Sequence, residues 1–403
     1  MNSFNWKFPI LYLCSVGIAN IGGWIYLLAI NLMVLEITGS PLAVTVLYII
    51  KPITQLLVGS WAGSIIDRVS TKHIMVSLDV LRAILIIFIP FTDSIILIYM
   101  LVFFIQIAGA IFEPASFTYM TLLLPENIRH RFNAILSFVH SGAFVTGPLI
   151  AGILFMIGSL KEALFVNVVI FLVCATLALL LPKKKSIVIH ENARITWLNI
   201  RNDWSLVIHF SKKAIPFFVL YMMFQMVMLL TAALDSMEVT FAKKVLNLSN
   251  TSYGSLVTIA GIGFLVGAVC TNVLVRFISA KLLMSIGALF ISVGYIIYSF
   301  STTYLLASIG FFVLSFFLSI SNTGFITYIQ STIPTDMMGR ISSIYEMLSS
   351  FIQIIVIIFL GFASHWFSVK EVVIGGSILM FYVSLSLTLL SIRKVKRERS
   401  NSM

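Results

Sequence analysis

The sequence predicts an all-α integral membrane protein of twelve transmembrane helices, arranged as two six-helix bundles with pseudo-two-fold symmetry. Three observations carry that prediction. Of the 403 residues 60% are hydrophobic and only 10% charged, where soluble domains carry about 25% charged residues. Twelve apolar stretches each approach or exceed the roughly 20 residues that a helix needs to cross the hydrocarbon core. Finally, the chain repeats itself at an offset of 209 residues: Ser70, Lys72 and Met75 recur as Ser279, Lys281 and Met284. Thr118 and Tyr119 recur as Thr327 and Tyr328; Pro125, Arg131, Ile135 and Gly152 recur as Pro334, Arg340, Ile344 and Gly361.

The apolar stretches of the first half fall at 9–34, 42–64, 73–93, 95–120, 133–158 and 161–182. Those of the second half fall at 215–238, 252–275, 281–301, 303–330, 342–366 and 370–392. Backbone polar groups in lipid must be satisfied within the protein, and runs of this length suit helices rather than barrel strands. The first run is too long for a signal peptide and lacks the small-residue cleavage pattern. Cys14, Cys174 and Cys270 all lie inside apolar stretches, with neither a disulfide framework nor a metal-ligand spacing.

Charge orients the expected bundle. If both termini share one side, twenty of the 26 Lys and Arg fall on that side, and only Lys161, Lys243, Lys244 and Lys370 fall opposite. The positive-inside rule then puts both termini in the cytoplasm, which requires an even number of spans. The net charge of +11 is thus read as a topology signal rather than a nucleic-acid footprint. The long polar stretch 183–213, with a Lys run and Trp197 and Trp204, suits an interfacial helix. It divides the chain into a bundle over 1–182, a cytoplasmic linker over 183–213, a second bundle over 214–392 and a basic tail over 393–403. The tail is expected to anchor beside anionic lipid.

No loop is long enough for a soluble catalytic domain. No His/Asp/Glu cluster with metal spacing and no nucleophile–base pair marks an enzyme. No phosphate-cradling loop is present, so no nucleotide or other cofactor is expected. Parallel repeats of apolar segments are instead a way that secondary transporters are built, with substrate held between the repeats.

The loop after the second stretch reads Gly63-Ser-Ile-Ile-Asp67-Arg68-Val-Ser-Thr-Lys72. It resembles the signature loop of the major facilitator superfamily, with Ser70 and Thr71 departing from the usual residues. Its second copy, Asn272 to Lys281, lacks the acidic residue. In the first copy Asp67 can accept hydrogen bonds from a neighbouring helix N-terminus; Arg68 and Lys72 can bridge to other cytoplasmic carboxylates. The fifth stretch carries Gly147-Pro148-Leu-Ile-Ala151-Gly152, which is similar to the Gly-Pro motif of proton-driven exporters in that superfamily. Small residues allow close helix approach and Pro bends a helix, so a plain packing role stays open. Gly39-Ser40-Pro41, Phe112-Glu113-Pro114-Ala115 and Pro334 to Gly339-Arg340 extend the resemblance to the macrolide-efflux branch of drug:proton antiporters. Phe103 stands where many antiporters have an Arg.

The resemblance implies alternating-access export of an amphipathic small molecule against protons, by a monomer in a bacterial cell membrane. A specific siderophore or lysophospholipid exporter or flippase is the alternative, and a non-transporting membrane sensor a further one. Ionisable residues inside spans cost about 2.5–3.5 kcal/mol each on insertion scales, so each is a candidate site. Glu113, on one face with Gln106, is the candidate proton carrier, or a hydrogen-bonded structural carboxylate. Asp235 and Glu238 share a helix face and could admit protons or contact a cation, or form a solvated helix end with Lys243. Lys51 could pair with Glu113 or Asp235, or snorkel. Asp79 and Arg82, an i,i+3 pair near the cytoplasm, read as a structural pair bracing the signature loop, with a substrate site as the alternative. Arg340 and Glu346 are expected to meet Asp67 and Arg68 in a closed cytoplasmic gate. His140 reads as structural. Met222, Met223, Met226 and Met228 suit either a deformable pocket or an ordinary helix face.

Overall fold

In the computed structural model the described residues are 6–59, 66, 69–183, 197–334 and 337–401, and among them there are helices and no strands. Twelve helices are long and apolar enough to span a membrane. The chain divides into two compact units, Met1–His190 with Ser249–Thr258, and Glu191–Leu248 with Ile259–Met403.

Unit 1 contains α1 (Lys7–Thr38), α2 (Pro41–Gly59), α3 (Thr71–Phe88), α4 (Ile95–Leu123), α5 (Glu126–Ile157) and α6 (Leu160–Leu180). The Gly39-Ser40-Pro41 punctuation is a helix stop followed by a start. Gly39 takes a left-handed conformation (φ 60°) and its N–H bonds Leu35 O at 2.8 Å. Glycine fills that position because it carries no Cβ, and Pro41 then opens α2 where its missing N–H costs nothing. At α6 the sequence Ser159-x-x-Glu162 closes a reciprocal cap, Ser159 N–H to Glu162 Oε2 at 2.6 Å and Glu162 N–H to Ser159 Oγ at 3.3 Å. At its other end Lys72 of α3 donates to Leu179 O (2.6 Å) and Leu181 O (2.5 Å), placing a cation on the helix C-terminus. Polar bonds join α1 to α6: Asn167 donates to Gly22 O, and Ser15 and Cys174 each donate to the other's carbonyl at 3.4 Å.

Unit 2 contains α7 (Trp197–Lys213), α8 (Ile215–Lys244), most of α9 (Asn250–Leu274), α10 (Ala280–Ser299), α11 (Tyr304–Thr332), α12 (Met338–Trp366) and α13 (Val369–Asn401). Helices α10 and α11 pack at backbone distance, because a Cβ on Gly294 would lie 2.5 Å from Leu314 N and one on Gly310 2.8 Å from Tyr298 N. Buried hydroxyls link α10 to α13, with Ser292–Ser384 at 2.9 Å and Ser299–Ser377 at 3.2 Å. Ser211 on α7 meets Tyr345 on α12 at 2.7 Å.

The sequence offset of 209 becomes a structural register. Both ends of α11 lie 209 residues after those of α4, and α10 and α13 begin 209 residues after α3 and α6. The cap at α6 recurs at α13, where Ser368 N–H bonds Glu371 Oε2 at 2.8 Å and Glu371 N–H bonds Ser368 Oγ at 3.2 Å. This Ser-x-x-Glu pair is a repeat signal that the motif reading did not use.

Candidate functional site

Helices of unit 1 line an open cavity of about 560 Å³, inside the size range of small-molecule sites. Its wall follows from helical spacing. On α1, Val16, Asn20, Gly23 and Leu27 recur every three or four residues and line it, with Trp24 beside Gly23; on α4, Gln106, Gly109, Glu113, Ser116 and Met120 keep the same spacing. Lys51 of α2, Arg82 of α3, His140 of α5 and Phe171 of α6 complete it.

The cavity is apolar with a few placed polar groups. Tyr12 and Ser116 hydroxyls meet at 2.7 Å, and His140 Nδ1 lies 3.2 Å from Asn20 Oδ1. Asn20 and His140 were not singled out as a pair by sequence reasoning; the signal available was the α1 stripe. Trp24 stacks on Phe144 with ring centroids 4.6 Å apart. Gly147 of the Gly-Pro motif makes room for that indole, because a Cβ there would lie 2.6 Å from Trp24 Cβ. Gly152 of the same motif faces Gly254 within unit 1, where a Cβ on Gly254 would come 2.8 Å from Gly152 Cα. Pro148 lies inside α5 between them.

Arg82 is the most heavily held charge. Its Nη1 is 3.6 Å from Asp79 Oδ1, its Nη2 donates to Ala108 O at 3.3 Å, and its Cζ sits 4.4 Å from the Phe112 ring centroid and 5.3 Å from that of Phe171. Asp79 is fully buried. Neither Asp79 oxygen nor Arg82 Nε has a hydrogen-bond partner. The pair expected to brace the signature loop thus puts its guanidinium in the cavity wall, between α3 and α4. Lys51 and Glu113 are both exposed, and they form no ion pair with each other.

In unit 2, Tyr295 of α10 donates to the Asp235 carboxylate, and Tyr298, one turn on, donates to the Glu238 main-chain carbonyl at 3.2 Å. Gln225 of α8 reaches Ser349 of α12 at 2.9 Å, and Phe224 stacks on Phe325 at 4.2 Å. Met222, Met223, Met226 and Met228 are half-buried beside them. Glu346 is exposed on α12.

Of the expected gate, Gly63, Asp67 and Arg68 lie outside the described residues, as do the side chains of Arg131 and Arg340. Lys72 departs from its expected role. It bonds two main-chain carbonyls at the end of α6 rather than a carboxylate, because the last carbonyls of a helix have no partner of their own.

The Major Facilitator Superfamily profile matches residues 12–357. The chain belongs to that superfamily. It is a multi-pass membrane transporter and not an enzyme. An uncharacterized MFS-type transporter, YfiS of Bacillus subtilis (strain 168), is 22% identical over 399 residues, spanning 94% of this chain and 92% of its own. Solved structures share the fold at low identity. The peptide transporter POT superposes with a TM-score of 0.77 at 11% identity, covering 96% of this chain and 94% of that one. The nucleoside transporter NupG gives 0.73 at 10%, covering 95% and 99%. A bacterial homologue of the iron transporter ferroportin, in an inward-facing state, gives 0.72 at 17%, covering 96% and 100%.

Proposed function

We propose that the protein is a proton-coupled exporter of amphipathic small molecules, working by alternating access with both termini in the cytoplasm. The observation that carries this reading is the unit 1 cavity, in which the carboxylate of Glu113 stands in a wall made largely of apolar and aromatic side chains. A membrane-embedded carboxylate is costly unless it works, and one open to a cavity can exchange protons with whatever fills it. The apolar walls suit a lipophilic body. The Gly-Pro motif supports the same reading, since Gly147 and Gly152 both sit at close helix approaches.

Inverted vesicles carrying the protein and a preset pH gradient test the reading with a panel of macrolides, lipophilic cations and lysolipids. The expected result is substrate-triggered collapse of the gradient that disappears in Glu113→Gln at equal expression. Collapse that persists in Glu113→Gln removes the proton from Glu113 and shifts it to Asp235 or Glu238. Silence across the whole panel overturns export of amphipathic compounds.

A further inference from the structure

Three charged side chains line the unit 1 cavity, and their states differ. The Arg82 guanidinium is engaged on several sides, by Asp79, by Ala108 O and by the faces of Phe112 and Phe171. Glu113 also lies within electrostatic reach of that guanidinium, so Asp79, Arg82 and Glu113 together carry one net negative charge, set against the single positive charge of Lys51. Lys51 and Glu113 remain: exposed, in the wall of one cavity, of opposite sign and not ion-paired with each other.

We propose that this cavity binds a zwitterion with an apolar body, Lys51 taking its carboxylate and Glu113 its ammonium. The proposal rests on the reading of the cavity as the substrate site and names the substrate class. Charge complementarity selects that class. A purely cationic ligand would meet Glu113 and bring like charge to the Lys51 ammonium; a purely anionic ligand would meet Lys51 and bring like charge to Glu113. A ligand that carries both signs completes two charge-assisted hydrogen bonds, one with each side chain, where a ligand of a single sign completes one and meets like charge at the other. Gln106 and Ser116, on the same stripe of α4 as Glu113, flank that carboxylate with neutral polar groups that add no charge. The aromatic wall of Trp24, Phe112 and Phe171 then takes the body.

Three fluorescent probes with one body separate the charges: Nε-dansyl-lysine, its methyl ester and its Nα-acetyl derivative. The first carries both charges, the second only the ammonium and the third only the carboxylate. Binding is measured by dansyl fluorescence on the purified full chain, with no pH gradient, at pH 6.5, below the α-amino range of about 7.7–8.0. One charge-assisted bond corresponds to about tenfold or more in Kd, so the zwitterion should bind at least about tenfold more tightly than either derivative. Lys51→Gln should raise the zwitterion's Kd at least about tenfold and lower that of the ester, because it removes the like charge the ester meets; retained ester binding also reports an intact fold. Glu113→Gln should raise the zwitterion's Kd by a similar factor and lower that of the acetyl derivative, for the mirror-image reason. Equal affinity for all three probes, equal weakening of all three by one substitution, or no binding of any overturns the proposal. None of those results bears on gradient collapse by other compounds, and failure of proton coupling leaves the binding pattern standing.

Discussion

The Asp79–Arg82 pair makes a quantitative demand on stability. At 3.6 Å and an effective dielectric near 20, two unit charges attract by about 5 kcal/mol. Desolvation of each ion costs several kcal/mol, and the pair gains little else. Both Asp79 oxygens and Arg82 Nε lack hydrogen bonds, and Arg82 adds one carbonyl bond and two ring contacts. The pair as a whole should therefore contribute near zero relative to apolar residues of similar size, while either half alone is expensive. Asp79→Leu, which strands the guanidinium, should destabilise the protein by about 3–5 kcal/mol. Arg82→Met should do the same by stranding a fully buried carboxylate. The double variant Asp79→Leu/Arg82→Met should recover most of that loss. SDS-titrated unfolding of the purified protein, followed by tryptophan fluorescence, reads all three. Single-variant losses below about 1 kcal/mol, or a double variant no better than the worse single, would refute the reasoning.

Two further outcomes follow from local geometry. Gly147→Ala puts a methyl 2.6 Å from Trp24 Cβ, an overpacking that should cost about 1–3 kcal/mol. Gly142→Ala, which meets nothing within 4 Å, should be neutral or gain up to about 1 kcal/mol of helix propensity, and equal costs in the same unfolding assay would discount the close approach. Lys72→Met leaves the Leu179 and Leu181 carbonyls without their ammonium, a loss of about 1–3 kcal/mol. Faster hydrogen exchange confined to the end of α6 is the signature, and unchanged protection there would contradict the cap.

Much of the fold was legible in the chain because lipid is a strict solvent. Each span must be apolar over a fixed length and satisfy its own backbone, so length and hydropathy alone set the helices. The Gly39-Ser40-Pro41 stop and start and the Ser159-x-x-Glu162 cap are local chemistry, readable without any partner. So is the 209-residue register, which reappears in the helix ends. The candidate cavity was half legible. Glu113, Gln106 and Lys51 stood out because polar groups are rare in apolar stretches, and all three line it.

What the sequence could not convey is which faces meet. Arg82 reads beside Asp79 as an i,i+3 pair on one helix, yet only the approach of α4 brings Ala108 O and the Phe112 ring to its guanidinium. Asn20 and His140 lie 120 residues apart in the chain and hydrogen-bond only because α1 packs on α5. Lys72 read as a partner for carboxylates, and the end of α6 claimed it instead. Hydrophobic periodicity is weak as a guide here for one reason: a membrane helix is apolar all round. Burying a face against protein or against lipid asks for the same residues, so helix-to-helix contacts, and the cavity they leave, were decided by tertiary packing.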